Sequence, residues 1–218
     1  RGNSKSINRK NLRLFRGKPL VQYTIDAALN SKSITKTVVT TEDDEIAQLA
    51  FDLGVKRVIF RPKYLSQDHV QVEECVLQAY RVLEYEDNEK IDILVVLQPT
   101  SPLRSAADID AAVALFENDN DDKLPVISGC VDSRYHWQQY GDDKPVYPIG
   151  HDPFLDGRFG RQWNEPSEMR VEDGSIYVLD ALKFSLRRTF WYDHPLFYVL
   201  PEERSCDLDT LRDWDKSE

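Results

Sequence analysis

The first eleven residues, Arg1-Gly2-Asn3-Ser4-Lys5-Ser6-Ile7-Asn8-Arg9-Lys10-Asn11, set four cations among small, turn-forming side chains. Small residues let backbone N–H groups approach phosphate oxygens, and spaced cations neutralise them. The G-x-x-x-x-G-K-[ST] string of a Walker loop is absent, so composition alone points to nucleotide phosphates. Near the other end Asp207 and Asp209 stand two apart. In an extended segment both carboxylates share a face and can hold one Mg²⁺, a hard cation that prefers oxygen ligands. Acidic pairs at chain ends are also common surface features. The cationic loop favours the metal reading, because phosphoryl transfer needs both a metal and cations around the transferred group.

A third string, Gln98-Pro99-Thr100-Ser101-Pro102-Leu103-Arg104, carries two prolines that stiffen its backbone. Such a setting suits a rigid polar contact from Gln98 or Ser101. The plain alternative is a proline-stiffened turn before the next helix. His69, His136, His151 and His194 have no ligand spacing, and no G-x-S-x-G elbow accompanies them. A hydrolase triad has no support.

The elements that must position these residues alternate. Leu20, Tyr23, Ile25, Ala28 and Leu29 recur at helical spacing after Pro19 and predict a helix to about Asn30. Thr37 to Thr40 reads as a strand, followed by the acidic turn Thr41-Glu42-Asp43-Asp44. Ile46, Leu49, Ala50 and Leu53 then predict a helix ending at Gly54. Val55 to Phe60 is read as strand, Val72 to Tyr85 as helix, Asp108 to Glu117 as helix and Pro125 to Val131 as strand. Ile91 to Leu97 is the most apolar run and is expected at the centre of a parallel sheet. Asp173 to Leu179 and Phe197 to Leu200 complete the strands, and a short helical piece follows Asp209. Alternation of this kind predicts a doubly wound, mostly parallel α/β sheet. Ligands in such sheets collect beyond the carboxyl ends of the strands, so the turns after Thr40, Leu97 and Val131 are candidate site loops.

From Asp132 to Glu172 the periodicity stops. Trp137, Tyr140, Tyr147, Phe154, Phe159 and Trp163 fall here among prolines and Gly-Asp turns. A long structureless insertion is uncommon in a compact domain unless it serves a function or packs on something. Its aromatic content predicts an arm that buries itself on a second subunit.

The whole chain has 218 residues, 41% of them hydrophobic, and reads as one domain (residues 1–218) carrying the 132–172 insertion. The net charge of −10 repels phosphate backbones and excludes nucleic acid as the expected partner. The basic residues are nevertheless concentrated: Arg1, Lys5, Arg9, Lys10, Arg13, Arg16 and Lys18 precede any acidic residue. A solvated tail is the ordinary reading of such a run. Here it leads directly into an apolar helix pattern, which favours a structured loop. Cys75, Cys130 and Cys206 form no CxxC pair, consistent with a reducing cytoplasm. No apolar stretch reaches the roughly 18 residues that span a bilayer.

Four blocks carry a family resemblance. They are Arg1 to Asn11 with Gly17-Lys18-Pro19-Leu20; Arg61-Pro62 with Asp68-His69; Leu97 to Arg104; and Gly174-Ser175-Ile176-Tyr177 with Ser205-Cys206-Asp207-Leu208-Asp209. In this order they resemble the sialic acid (N-acylneuraminate) cytidylyltransferases, also called CMP-sialic acid synthetases. The resemblance implies a Rossmann-like nucleotidyltransferase fold and transfer of CMP from CTP to a nine-carbon acidic sugar. By it, Arg1, Lys5 and Lys10 would be catalytic, and Ser4 and Asn11 would join them around the CTP phosphates and ribose. Arg61 would lie near the base. Gln98, Arg161 and Tyr177 would face the sugar, and Asp207 and Asp209 would bind Mg²⁺ or Mn²⁺. The insertion would be a dimerisation arm that closes the neighbouring sugar pocket in a homodimer.

The chain departs from the pattern in places. Asn3, Ser6 and Asn8 stand where the family has Gly, Gly and Pro; Val72 replaces a hydroxyl residue, and Asp173 replaces Asn. The family also has a central strand just before the loop, so the native chain is expected to begin several residues earlier. Two other functions compete: a nucleotide-sugar-dependent glycosyltransferase with a D-x-D metal site, and a catalytically silent nucleotide-binding dimer. The D-x-D of the former normally follows an early or middle strand, and the retained Lys5, Lys10, Asp207 and Asp209 argue against the latter.

Overall fold

The computed structural model describes residues 1–2, 4–118, 122–132, 136–139, 146–149 and 169–217. After the basic loop, β1 (Leu14–Phe15) and β2 (Lys18–Pro19) form a small hairpin that delivers the chain to α1 (Leu20–Asn30). β3 (Val38–Thr41) leads into α2 (Asp44–Asp52). The Asp43 carboxylate caps that helix, accepting from the N–H groups of Glu45 and Ile46 at 3.0 Å each. Gly54, at φ +99°, supplies the left-handed turn that ends it. β4 (Arg57–Phe60), α3 (Val72–Arg81) and β5 (Ile93–Leu97) follow. α4 (Ala106–Glu117) starts two residues before the expected helix, because Ser105 and Asp108 form a reciprocal capping box.

The later part runs through β6 (Val126–Asp132), β7 (His136–Gln139), β8 (Val146–Ile149) and β9 (Met169–Asp180). α5 (Ala181–Arg187), β10 (Leu196–Val199) and α6 (Leu211–Ser217) close the chain. β7 and β8 pair antiparallel, so the 132–172 segment is not wholly irregular as its sequence suggested. Much of that segment, Arg158 and Arg161 included, lies outside the described residues. The expected dimerisation arm therefore lies largely outside them too.

The main sheet has the order β10-β6-β9-β5. β10 and β6 are parallel, but β9 runs antiparallel to both β6 and β5. The sheet is mixed, which corrects the mostly parallel expectation. It also moves the Ile91–Leu97 run: β5 stands at one end of this sheet and pairs only with β9 among the described residues. A long β9 returning from the insertion takes the neighbouring place that a parallel strand was expected to hold.

Strand alternation sends side chains to two covered faces. Val126, Ile176 and Val178 pack against Ile109, Ala112, Val113 and Phe116 of α4 and Ala27 of α1. Ile127, Tyr177 and Leu179 face Phe184 of α5 and Phe190, with Val76 and Leu77 of α3 alongside. Both faces are thus buried, as a doubly wound sheet requires. β3 and β4 form a separate parallel pair, packed by Val21 and Ile25 of α1 and Ala47 and Ala50 of α2.

Between β3 and β5 lies a cavity of about 830 Å³, lined by Val39, Val95, Leu97, Val21, Ile25 and Val76 among others. Each flanking strand turns towards it an edge with no strand partner among the described residues. No helix among the described residues is long and apolar enough to cross a membrane.

Buried carboxylates tie the layers together. Asp108, nearly fully buried, accepts from Ser105 N–H and Oγ–H, from the Tyr198 hydroxyl at 3.0 Å and from Arg204. Desolvation pushes its carboxyl upward, but those donors outweigh it and hold it below the ordinary value. Asp43 is likewise held down, with burial overcome by Ile46 N–H and Arg9, and Asp110 is held down chiefly by Ser31. A carboxyl depressed on folding contributes stability above its unfolded value, and that stability is lost as pH falls through the folded value. Unfolding free energy should therefore hold through neutral pH and drop once pH falls below about 4, the ordinary carboxylate value. Asp108→Asn should flatten that acid limb and lower stability at pH 7 by about 1–3 kcal/mol. Urea melts at a series of pH values measure both.

Candidate active site

The basic loop folds across the carboxyl ends of β3 and β4. Gly2 passes so close to Asp43 that a Cβ would lie 2.1 Å from its Oδ2, and its N–H donates to Glu42 Oε1 at 2.8 Å. Arg9 takes a left-handed conformation (φ 52°) and sends its guanidinium back to Asp43 at 2.7 Å and Glu45 at 3.0 Å. Ile7 is buried beside Phe15, Leu20, Leu208 and Trp214, which anchors the loop to the core. The expected site turn after Thr40 is thus where the loop docks.

Every cation in the loop meets a carboxylate. Arg1 and Lys5 share Asp68, at 2.6 and 2.9 Å, and Lys5 hydrogen bonding is the main cause holding that carboxyl below its usual value. Lys10 is buried and donates to Asp209 Oδ1 at 2.9 Å and to Leu208 O at 3.0 Å. Asn11 donates to the Arg1 carbonyl at 3.0 Å, closing the loop on itself.

Arg1, Ser4, Lys10, Asn11, Arg61 and Gln98 all line the cavity between β3 and β5. Six of the site residues expected from the sequence are therefore brought to one space. Arg61 donates to Thr40 O at 2.6 Å and to Cys75 Sγ at 3.1 Å, while its Nε lies 3.9 Å from Glu42 Oε2. That Nε and Thr40 Oγ1 are buried without a hydrogen-bond partner. An orphaned buried polar atom costs about 1–3 kcal/mol, which a polar ligand here would recover.

The 98–104 turn forms the opposite wall. Arg104 is buried and donates to Gln98 O at 2.9 Å, to Ser101 O at 2.5 Å and to Thr24 Oγ1 at 2.5 Å. Burial lowers its pKa to about 10. Gln98 lies against Gly174, whose left-handed backbone at φ +68° is the reason for glycine there. Ser101, one of the two expected polar contacts, is fully buried and donates to Asp173 O at 2.9 Å, so it serves the turn rather than a ligand.

Tyr177 also differs from expectation. Its ring is buried against Phe190, 4.7 Å between centroids, and its hydroxyl donates to Glu172 Oε1 at 2.5 Å. Desolvation, then Glu172, raises its pKa far above the usual value. The strand register turns this side chain into the core, where it does not open onto the cavity. Arg161 lies outside the described residues.

Asp207 and Asp209 follow β10. Asp209 N–H donates to Asp207 O at 3.1 Å, so the pair comes together through a tight turn and not on one extended face. Asp207 is open to solvent on one side, yet packing around its base desolvates the carboxyl. That desolvation, with the like charge of Asp209, raises it against the opposing hydrogen bond from Thr100 and the charge of Lys10. A divalent cation would relieve that repulsion. Two hard oxygen donors suit Mg²⁺ or Mn²⁺, but no third His, Cys, Asp or Glu among the described residues joins them. Water or phosphate oxygens would complete the shell.

Several participants had weak sequence signals. Asp43 and Glu42 were visible as an acidic turn, and Asp68 as part of a short string; their pairing with loop cations was not. Arg104 closed the 98–104 string and Asp173 was visible as a replacement for Asn, but neither was singled out for a role.

Comparison with known proteins agrees with this geometry. Residues 1–189 match the family model described as Cytidylyltransferase. The chain is 28% identical over 217 residues to the pseudaminic acid cytidylyltransferase of Campylobacter jejuni, covering 98% of this chain and 89% of that protein. It is 27% identical to the N-acylneuraminate cytidylyltransferase of Escherichia coli, covering 99% of this chain and 49% of that one. A solved structure of CMP:2-keto-3-deoxy-manno-octonic acid synthetase complexed with CTP superposes with a TM-score of 0.63 at 15% identity, covering 99% of this chain and 92% of that one. A match through most of the length, on a mixed α/β sheet with the basic loop across its strand ends, makes this chain a nucleotidyltransferase of the sialic-acid-type cytidylyltransferase family.

Proposed function

We propose that the protein transfers CMP from CTP to the anomeric hydroxyl of a nine-carbon 2-keto acid sugar and releases pyrophosphate. The observation that carries this reading is a cavity beside β3 and β5 whose lining brings together Arg1, Ser4, Lys10, Asn11, Arg61 and Gln98. Arg61, whose buried Nε makes no hydrogen bond, is suited to the polar edge of the base. Arg1, Lys5 and Lys10, now on Asp68 and Asp209, can exchange those carboxylates for phosphate oxygens. Ser4 and Asn11 complete the phosphate and ribose contacts. Gln98, held rigidly by the Arg104-braced turn, faces the sugar.

A bond forms between the sugar oxygen and the α-phosphorus as the bond to the bridging oxygen of pyrophosphate breaks, and the hydroxyl proton passes to solvent. Lys5, Lys10 and Arg1 stabilise the charge that builds on the phosphoryl oxygens. Mg²⁺ or Mn²⁺, when held by Asp207 and Asp209, supplies further neutralisation of phosphate charge. Arg161 is suited to the sugar carboxylate, which a guanidinium fork binds bidentately. Three cysteines with no disulfide among them favour the cytoplasm. The late position of Asp207 and Asp209 and the CTP-type relatives disfavour a glycosyltransferase.

Lys5→Ala and Lys10→Ala should each cut turnover by about 10²–10³ while leaving the fold intact by circular dichroism. Near-normal turnover in both would remove the phosphate-loop assignment.

Pyrophosphate release from CTP should occur with an acidic nine-carbon sugar and require Mg²⁺ or Mn²⁺. A panel of N-acetylneuraminate, its deaminated analogue, legionaminate and pseudaminate identifies the acceptor. Asp209→Asn should weaken metal activation; wild-type metal dependence in that variant would move the metal elsewhere.

Assembly as a homodimer is supported by the family resemblance and by the aromatic content of the 132–172 insertion. Mixing inactive Lys5→Ala with inactive Arg161→Ala should regain activity through heterodimers with one intact site. Sedimentation as a monomer would sink the assembly; a dimer without complementation would put Arg161 in its own subunit's site or outside it.

A further inference from the structure

The pairing of β6 with β9 contains an irregularity whose position is informative. Ile127 pairs with Tyr177, and Gly129 pairs with Glu172, so β6 advances two positions while β9 advances five. Asp173, Gly174 and Ser175 are thereby pushed out of the ladder beside Gln98 and Ser101. Ser128 holds this bulge shut: its hydroxyl donates to Asp173 Oδ1 at 2.8 Å and accepts from Ile176 N–H at 2.8 Å. Bulges that re-aim a side chain beside a site are a recurrent device.

The side chain re-aimed here is Asp173. It is buried, 5% exposed, with the Arg104 cation and the Asp207 carboxylate within electrostatic reach. Oδ1 accepts from Ser128 and from Ser175 N–H at 2.9 Å, and Oδ2 accepts from Ser205 Oγ at 2.9 Å. Its backbone carbonyl takes the Ser101 hydroxyl. One residue thus joins the 98–104 turn after β5, the body of β6 and the segment that carries Asp207 and Asp209. That segment lies along the 98–104 turn, with Leu208 N–H on Thr100 O at 2.8 Å, but Ser205 to Asp173 is its side-chain tie to the main sheet.

We infer that Asp173 is a positioning residue that sets the Asp207/Asp209 turn through Ser205, fixing the geometry in which the pair takes a divalent cation. The inference rests on the reading of that pair as the metal site. The work is done by hydrogen bonds and not by the charge. A Ser hydroxyl can donate to a carboxylate or accept from an amide, so Asn at 173 preserves the tie. Alanine there removes it, yet keeps the backbone acceptor of Ser101.

The test is Mn²⁺ binding by electron paramagnetic resonance with CTP present, on the wild type and on Ser205→Ala, Asp173→Ala, Asp173→Asn and Asp209→Asn. Ser205→Ala and Asp173→Ala should weaken Mn²⁺ about tenfold, equivalent to about 1.4 kcal/mol, with CTP affinity changed less than twofold. Asp173→Asn should bind Mn²⁺ as the wild type does. A purely structural role would lower the melting temperature without altering Mn²⁺ affinity in the folded protein. Ser205→Ala is the milder variant and keeps the test open if Asp173→Ala does not fold. Weak binding in Asp209→Asn with wild-type binding in Ser205→Ala overturns this inference alone. Failure of Asp173→Asn to bind would overturn the hydrogen-bond account in favour of charge. Wild-type binding in Asp209→Asn overturns both this inference and the metal reading beneath it.

Discussion

Four cations held within one short loop repel one another, and the loop can keep its shape only because carboxylates stand among them. Arg1 and Lys5 close on Asp68, Arg9 on Asp43 and Glu45, and Lys10 on Asp209. Most of these pairs are exposed and individually weak, so the loop's shape depends on several of them acting together with the buried Ile7 anchor. The carboxylates come from three places far apart in sequence: the turn after β3, the segment after β4 and the turn after β10. The phosphate-type loop therefore depends on the sheet that brings those ends together. In this acidic protein the basic groups of the loop are thus concentrated in one place and neutralised internally.

The sheet meets this demand by breaking its own regularity. An all-parallel order would place β5 beside β6, yet β9 enters between them in the opposite sense. That antiparallel strand carries the bulge at Asp173 and brings Gly174 against Gln98. Gly129 allows the close approach: a Cβ there would lie 1.9 Å from Val171 O. A glycine on one strand and a bulge on the next are the local means by which a regular ladder becomes a site wall.

Rigidity in the opposite wall comes from Arg104. The string from Gln98 to Arg104 holds its two prolines in a turn whose free carbonyls need donors, and a buried guanidinium supplies them. Its cost is desolvation of a cation, which appears as a pKa lowered to about 10. Polar residues in this string divide accordingly. Gln98 reaches the cavity, while Ser101 and Arg104 are consumed in holding the turn.

The sequence alone determined most elements, because apolar spacing and capping residues are local signals. α1, α2, β3, β4 and β6 fall where the pattern put them, and the loop cations, the Asp207/Asp209 pair and Gln98 stood out by type and spacing as candidates for chemistry. Strand order was not legible. The sense of β9 depends on where the 132–172 insertion returns the chain, and no local periodicity encodes that. Neither did residue type reveal which polar groups face inward. Tyr177 and Ser101 read as ligand contacts, but one register places the Tyr177 ring in the core and one hydrogen bond turns Ser101 to Asp173. Asp173 itself looked like a simple replacement beside a glycine. Only tertiary structure decided its role, since Ser101, Ser128 and Ser205 reach it from three segments that meet when the sheet is assembled.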